Sequence, residues 1–139
     1  MEATLTQPTL ITSTSRSIWI GRILSGLAVL FLTFDGIVKL LQTPEVIEGS
    51  QQLGFAVSSM VPIGLVLLAC VAIYLVPRTA ILGAVLLTGY LGGAIATHVR
   101  VGNPLLTHVL FPTYVAALIW GGLYLRDSRV RRLLGSARA

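Results

Sequence analysis

Charged residues are scarce in this chain: aspartate, glutamate, lysine and arginine make up only 11% of its 139 residues. A water-soluble domain carries roughly 25%. Hydrophobic residues reach 55% and the mean hydropathy is +0.87. A soluble fold of one-domain length could not cover so much apolar surface with polar side chains. The composition therefore excludes a soluble globular domain and indicates that lipid covers the chain.

Cysteine occurs once, as Cys70, inside a hydrophobic run. A single cysteine excludes an internal disulfide and a dithiol redox pair. If electrons pass through the protein, a cofactor or a partner must therefore carry them. Acidic residues are also few, and the net charge is +5. The basic residues flank hydrophobic runs instead of forming a patch with aromatics, which predicts contacts with lipid head groups and no nucleic-acid partner.

Four hydrophobic runs each have about the 20 residues that a helix needs to cross a bilayer. The predicted spans are 18–41, 57–76, 80–99 and 105–125. Inside lipid only a helix satisfies the backbone groups of such a run. The first run is too long for a signal peptide and no A-x-A site follows it. We predict an all-α fold, an integral membrane four-helix bundle over residues 18–126, with a kink at Pro112 in the fourth helix.

The segments outside the spans are short. Residues 1–17, rich in serine and threonine, predict a flexible tail, and residues 127–139 predict a basic C-terminal tail. In the first loop, Thr43 before Pro44 is typical of an N-cap followed by proline at the first helical position. Gly54 can end this segment. We predict a short amphipathic, interfacial helix in the first outer loop.

Lysine and arginine are distributed unevenly between the two ends of the predicted bundle. One end holds both termini and the hairpin at residues 77–79. Its arginines are Arg16, Arg78, Arg126, Arg129, Arg131, Arg132 and Arg138. The other end has Arg100 and Lys39. Because positive charge accumulates on the cytoplasmic side, the sequence predicts a multi-pass protein of the cytoplasmic membrane with both termini in the cytoplasm.

Polar residues of the spans concentrate at the opposite, outer end. The candidate site residues are Asp35, Lys39, Glu48, Tyr90, His98, Arg100 and His108. Ionisable groups within spans are expensive and usually face an interior or a cavity. In a packed bundle these side chains are expected to converge on one polar cavity in the outer leaflet.

The catalytic candidates are Asp35, Tyr90 and His98, which could exchange protons with a bound lipophilic molecule. The candidates for binding that molecule are Lys39, Arg100, His108 and Glu48. An alternative is that Asp35 and Lys39, four residues apart, form a salt bridge that only fixes packing. No metal site is predicted, because the spacing of the two histidines and their nearest carboxylates matches no ligand motif.

Gly89, Gly93 and Thr97 form a face of small residues on the third helix. Such a face lets another helix approach closely. We expect it to pack within the bundle rather than between two copies of the chain.

Three stretches resemble the DoxX-like family of small bacterial membrane proteins: residues 34–40, 89–100 and 123–127. The resemblance implies a bundle of four helices in the bacterial inner membrane that serves as a subunit or partner of oxidoreductase systems, some linked to quinones. Asp35 stands where related sequences often have a small residue. The resemblance leaves the cofactor unidentified and suggests a quinone.

Two hypotheses follow. In the first, the protein is a membrane component of a quinone-linked redox system that holds a lipophilic small molecule and works with a redox enzyme partner. In the second, it is a non-catalytic membrane anchor or assembly partner. A third alternative, a small transporter or a lipid-modifying enzyme, is disfavoured, since four spans with no visible inverted repeat give it little support.

Overall fold

The structure is a computed structural model and describes residues 11–135. Within this range the chain forms α-helices joined by turns, with no strand, so the all-α prediction is confirmed. The helices are α1 (Ile11–Leu41), α2 (Pro44–Gln52), α3 (Met60–Leu75), α4 (Ala80–Arg100), α5 (Phe111–Arg126) and α6 (Ser128–Gly135). A 3₁₀ turn, Val57–Ser59, precedes α3, and a π-helical turn, Leu105–Val109, precedes α5.

Four stretches of the described chain are long and apolar enough to cross a membrane, as predicted. They are Ser15–Leu41, Val57–Leu75, Ala80–Arg100 and Leu105–Arg126. Helices α1 and α4 each pack against both α3 and α5, so the order around the bundle is α1, α3, α4, α5. Successive spans alternate in direction. We call the end with residues 76–79 the hairpin end and the end with α2 the loop end.

Both predicted tails differ from the structure near the bundle. Helix α1 begins at Ile11, so residues 11–17 extend the first helix. Extending an existing helix adds one hydrogen bond per residue fixed, which explains the early start. After α5, residues 128–135 form α6, whose Val130 is buried. The rest of the predicted tails, residues 1–10 and 136–139, lies outside the described residues.

The predicted kink at Pro112 is not found in the fourth span. The span is interrupted by the π-helical turn, and Pro112 lies in the first turn of α5. A proline at the start of a helix removes no intrahelical hydrogen bond, because the first N–H groups have no partner there. The proline therefore starts a helix instead of bending one.

The helix predicted in the first loop is α2. Thr43 is its N-cap residue and Pro44 begins it. Gly54 has a φ of +75°, a conformation that glycine adopts without strain. The N–H of Phe55 donates to the Ser50 carbonyl at 2.8 Å and the N–H of Gly54 to the Gln51 carbonyl at 3.0 Å. This pattern is a Schellman motif, and it confirms that Gly54 ends the segment.

Tyr74 organises the packed core near the hairpin end and is 1% exposed. Its hydroxyl lies 2.9 Å from Ser25 Oγ on α1 and donates to the Ile119 carbonyl on α5 at 3.1 Å. On α4, Gly83 lies so close to the Tyr74 backbone that an added Cβ would clash. One side chain therefore joins three spans, and a glycine admits the fourth.

At the hairpin end, arginine side chains bind backbone carbonyls and a carboxylate of the protein. Arg129 pairs with Asp127 at 2.7 Å and donates to the carbonyls of Pro77 and Arg78. Its hydrogen bonds hold the pKa of the Asp127 carboxyl below its ordinary value. Arg131 donates to two carbonyls at the end of α5, both at 2.9 Å. These contacts fasten α6 to α5 and to the hairpin.

Candidate functional site

A cavity of about 460 Å³ lies in the half of the bundle nearer the loop end, and all four spans line it. Volumes of about 300–1,000 Å³ are typical of small-molecule sites. Of the predicted site residues, the structure brings four to its walls. These are Asp35, Lys39, Tyr90 and His98.

Asp35 and Lys39 form an ion pair that is also part of the cavity wall. Lys39 Nζ donates to Asp35 Oδ1 at 2.5 Å, and the side chains are 18% exposed for Lys39 and 30% exposed for Asp35. Helical spacing of four residues places both on one face of α1. The salt bridge that sequence analysis weighed against a site is therefore present and faces the cavity.

Tyr90 and His98 reach the cavity from α4. They are eight residues apart, which puts them on nearly the same face of the helix. His98 Nδ1 lies 2.8 Å from the amide of Asn103, a residue of the following turn that sequence analysis missed. Within residues 11–135 the Tyr90 hydroxyl makes no protein hydrogen bond, so it is available to a ligand.

Apart from Thr97 the rest of the cavity wall is apolar, and its aromatic and methionine side chains were not predicted. Phe31 of α1 and Phe111 of α5 meet edge to face, with ring centroids 5.1 Å apart and an interplanar angle of 70°. Met60 is buried at the start of α3. The spacing of Phe31 and Asp35, one helical turn apart, was a signal that could have identified the first of these residues.

Arg100 and Glu48 do not line the cavity. The Arg100 guanidinium instead donates to the Leu53 carbonyl at 2.6 Å and so ties the end of α4 to the loop after α2. That loop does reach the cavity, through Leu53 and Phe55. Glu48 is exposed and accepts a 3.4 Å hydrogen bond from Gln52. The expected convergence of all seven side chains on one cavity is therefore not what the structure shows.

His108 lies beside the cavity and not in its wall. Its ring meets the His98 ring with centroids 5.7 Å apart, and its Nδ1 is 2.8 Å from Thr107 Oγ1. Neither Asp35 nor Glu48 joins this pair, and residues 11–135 contain no cluster of three or more potential ligands for a metal ion.

The small-residue face of α4 has a different role from the one predicted. Among the described residues, no atom lies within 4 Å of a Cβ added at Gly89 or Gly93. Both glycines are exposed and line the cavity. The expectation that this face packs against another helix is wrong at these positions, because α4 makes its close helix contact at Gly83, nearer the hairpin end.

Four apolar helices of spanning length define the chain as a multi-pass integral membrane protein. The sequence profile of the DoxX-like family matches residues 23–122, which is most of the bundle. The chain belongs to the DoxX-like family. No curated protein and no solved structure matches it.

Proposed function

We propose that this protein is the membrane component of a quinone-linked redox system and binds a lipophilic molecule in the cavity between its spans. The observation that supports this is the mixed character of the cavity walls. Asp35, Lys39, Tyr90 and His98 supply polar groups, while the pair of phenylalanine rings supplies an apolar surface. A quinone matches both, because its ring is flat and apolar and its carbonyl oxygens accept hydrogen bonds.

Each polar side chain has a role in this proposal. Lys39 and Tyr90 donate hydrogen bonds to the carbonyl oxygens, and Asp35 holds the Lys39 ammonium in place. His98 exchanges protons with those oxygens when the quinone is reduced, since imidazole gains and loses a proton near neutral pH. The electrons come from a partner oxidoreductase. Arg100 acts indirectly, by positioning the loop that carries Leu53.

We also infer that the chain lies in the cytoplasmic membrane with both termini in the cytoplasm. The support is the excess of arginine at the hairpin end, which includes Arg78, Arg126 and Arg129. A surplus of basic residues marks the cytoplasmic face of membrane proteins.

The test is binding of a benzoquinone with a ten-carbon tail to the purified protein in lipid nanodiscs. Binding to the wild type is expected, and Tyr90→Phe should weaken it about tenfold, the equivalent of one lost hydrogen bond. Tyr114→Phe is the matched control, because Tyr114 is 50% exposed and lies outside the cavity wall. His98→Gln should also weaken binding of the quinone.

The second hypothesis, an anchor without a ligand, makes the opposite forecast. No quinone would bind, and a redox enzyme would co-purify in stoichiometric amount with the wild type and with both cavity variants alike. That combination of results would replace the quinone proposal.

A further inference from the structure

Helices α3 and α4 make a close contact near the hairpin end, where Gly83 lies against the backbone of Tyr74. Towards the loop end, Gly89 and Gly93 face open space, as described above. Ile63 of α3 and Ala94 of α4 both line the cavity. They lie at about the same distance along their helices from the contact between Tyr74 and Gly83. The cavity therefore extends between these two helices at this level, and we call this space the gap.

Helix geometry shows which neighbour this gap separates from α4. Residues seven apart share nearly the same face, so Tyr90 continues the face of Gly83 that meets α3. At about 100° per residue, Gly93 lies about 60° from Tyr90 and about 140° from Thr88, whereas Gly89 lies about 100° from each and is placed by its position in the cavity wall. The Thr88 hydroxyl accepts a 2.9 Å hydrogen bond from Trp120 Nε1 on α5. Gly93 thus borders the gap towards α3 and not the contact with α5, and Gly89 lies one helical turn away from it in the same cavity wall.

We propose that the ligand enters the cavity sideways from the bilayer, through the gap between α3 and α4 that Gly89 and Gly93 leave open. This inference rests on the proposed function and specifies its ligand as a ring with an aliphatic tail. The ring lies beside the ion pair of α1, and the tail passes over the two glycines into the hydrocarbon. Side chains at these positions would occupy the path, which gives the glycines a role that helix packing does not require.

The competing route is the loop end. There Leu53 and Phe55 cover the cavity, and the hydrogen bond from Arg100 to the Leu53 carbonyl fastens the cover. A ligand that used this route would approach through the polar interface and would have to displace the loop. The two routes therefore respond to different substitutions.

The first experiment needs no ligand. A nitroxide spin label is attached at Gly89→Cys or at Gly93→Cys in a Cys70→Ala background, with the protein in a lipid bilayer. We expect lipid-soluble oxygen to relax the label as strongly as it relaxes a label at Gly92→Cys, an exposed position outside the cavity wall. A label that is shielded from oxygen and relaxed by an aqueous nickel chelate would place the opening at the loop end and overturn the proposal.

The second experiment follows exchange of the ten-carbon-tailed benzoquinone. Nanodiscs loaded with it are washed with quinone-free vesicles, and the retained quinone is extracted and measured over time. Gly89→Leu should slow loss at least about tenfold, because the side chain raises the barrier in the gap. Gly92→Leu is the matched control on the same helix and should exchange like the wild type. Arg100→Gln loosens the cover at the other route, so faster loss from this variant would indicate passage through the loop end.

The outcomes separate this inference from the function on which it rests. A wild type that binds no quinone contradicts the proposed function, while the spin labels still decide where the cavity opens. In another outcome, the wild type binds quinone while Gly89→Leu exchanges it as fast as Gly92→Leu and Arg100→Gln exchanges it faster. That result would retain the proposed function and overturn the sideways entrance.

Discussion

The ion pair of Asp35 and Lys39 should affect the stability of the fold whatever the cavity binds, because the loss of one partner destabilises the protein. Each charge lies within a span, and both side chains are partly buried. Removing one partner leaves a charge without compensation in a poorly solvated place. Lys39→Met is therefore expected to lower the free energy of unfolding by about 3 kcal/mol. Reversible unfolding in mixed micelles, monitored by circular dichroism, measures the change.

The double variant Asp35→Leu with Lys39→Met is the control for this prediction. With both charges gone, no unpaired group remains. The double variant should therefore lose at least about 1 kcal/mol less free energy of unfolding than the two single variants added together. Additive losses would show that the two side chains act independently and that the contact between them contributes nothing.

Tyr74 supports a second prediction, in the packed half of the bundle. Its hydroxyl bonds to groups on α1 and α5, and the ring is fully buried. Tyr74→Phe keeps the ring and deletes the hydroxyl, which should lower the free energy of unfolding by about 1–2 kcal/mol. Tyr114→Phe removes an exposed hydroxyl and should change it little. Equal effects of the two variants would contradict the central place of Tyr74.

At the scale of elements, α6 shows how a basic tail becomes part of the fold. Asp127 precedes it and Arg129 lies in its first turn, and the carboxylate holds the guanidinium that donates to the carbonyls of Pro77 and Arg78. The pKa of Asp127 is lowered in the folded state by the hydrogen bonds from Arg129. The carboxylate therefore adds stability above its unfolded pKa of about 4, and this contribution is lost as the pH falls through the lowered folded value.

The corresponding test compares thermal unfolding in detergent at neutral pH and below pH 4. Asp127→Asn should be less stable than the wild type at neutral pH and should approach it at the lowest pH, since both then lack the charge. Glu48→Gln removes an exposed acidic group of α2 and serves as the control. A difference between Asp127→Asn and wild type that is constant with pH would contradict the proposed contribution of the carboxylate.

The elements were predictable where a local signal exists. The spans follow from hydropathy, and α2 follows from Thr43, Pro44 and Gly54, each of which acts on its own backbone. The interruption before α5 was not predicted, because a π-helical turn and an α-helix have the same hydropathy. Helix α6 was missed for a different reason. Its Arg129 binds the carbonyls of Pro77 and Arg78, which are distant in sequence, and no local pattern reveals such partners.

The candidate site was predictable only in part, for the same physical reason. Asp35, Lys39, Tyr90 and His98 were identified because ionisable or polar groups are unusual in spans. Most of their apolar neighbours in the cavity wall have the composition of any span and carry no signal, and Phe31, one helical turn from Asp35, is the exception. Arg100 and Glu48 were assigned to the site from their depth in the membrane alone, but depth does not fix the direction of a side chain. Direction depends on packing, which a single sequence does not provide.

Across the whole molecule the two ends of the bundle differ. The hairpin half is closed by Tyr74, by glycine contacts between helices and by arginines that bind backbone carbonyls. The loop half holds the cavity and is covered by a loop that a single arginine fastens. A packed half can hold the spans together while the other half stays open to a ligand. The orientation of the bundle in the membrane then determines from which side the partner enzyme of the proposed function would approach.

Orientation is therefore the prediction that matters most at this scale. If the hairpin end is cytoplasmic, a cysteine at Ser128 should react in intact cells only after the membrane is permeabilised, and a cysteine at Gln51 should react with an impermeant maleimide at once. Both positions are exposed, and Cys70→Ala removes the native thiol without affecting either loop. Reversed labelling would invert the bundle and move the cavity to the cytoplasmic leaflet. A redox partner would then have to reach the ligand from the cytoplasm.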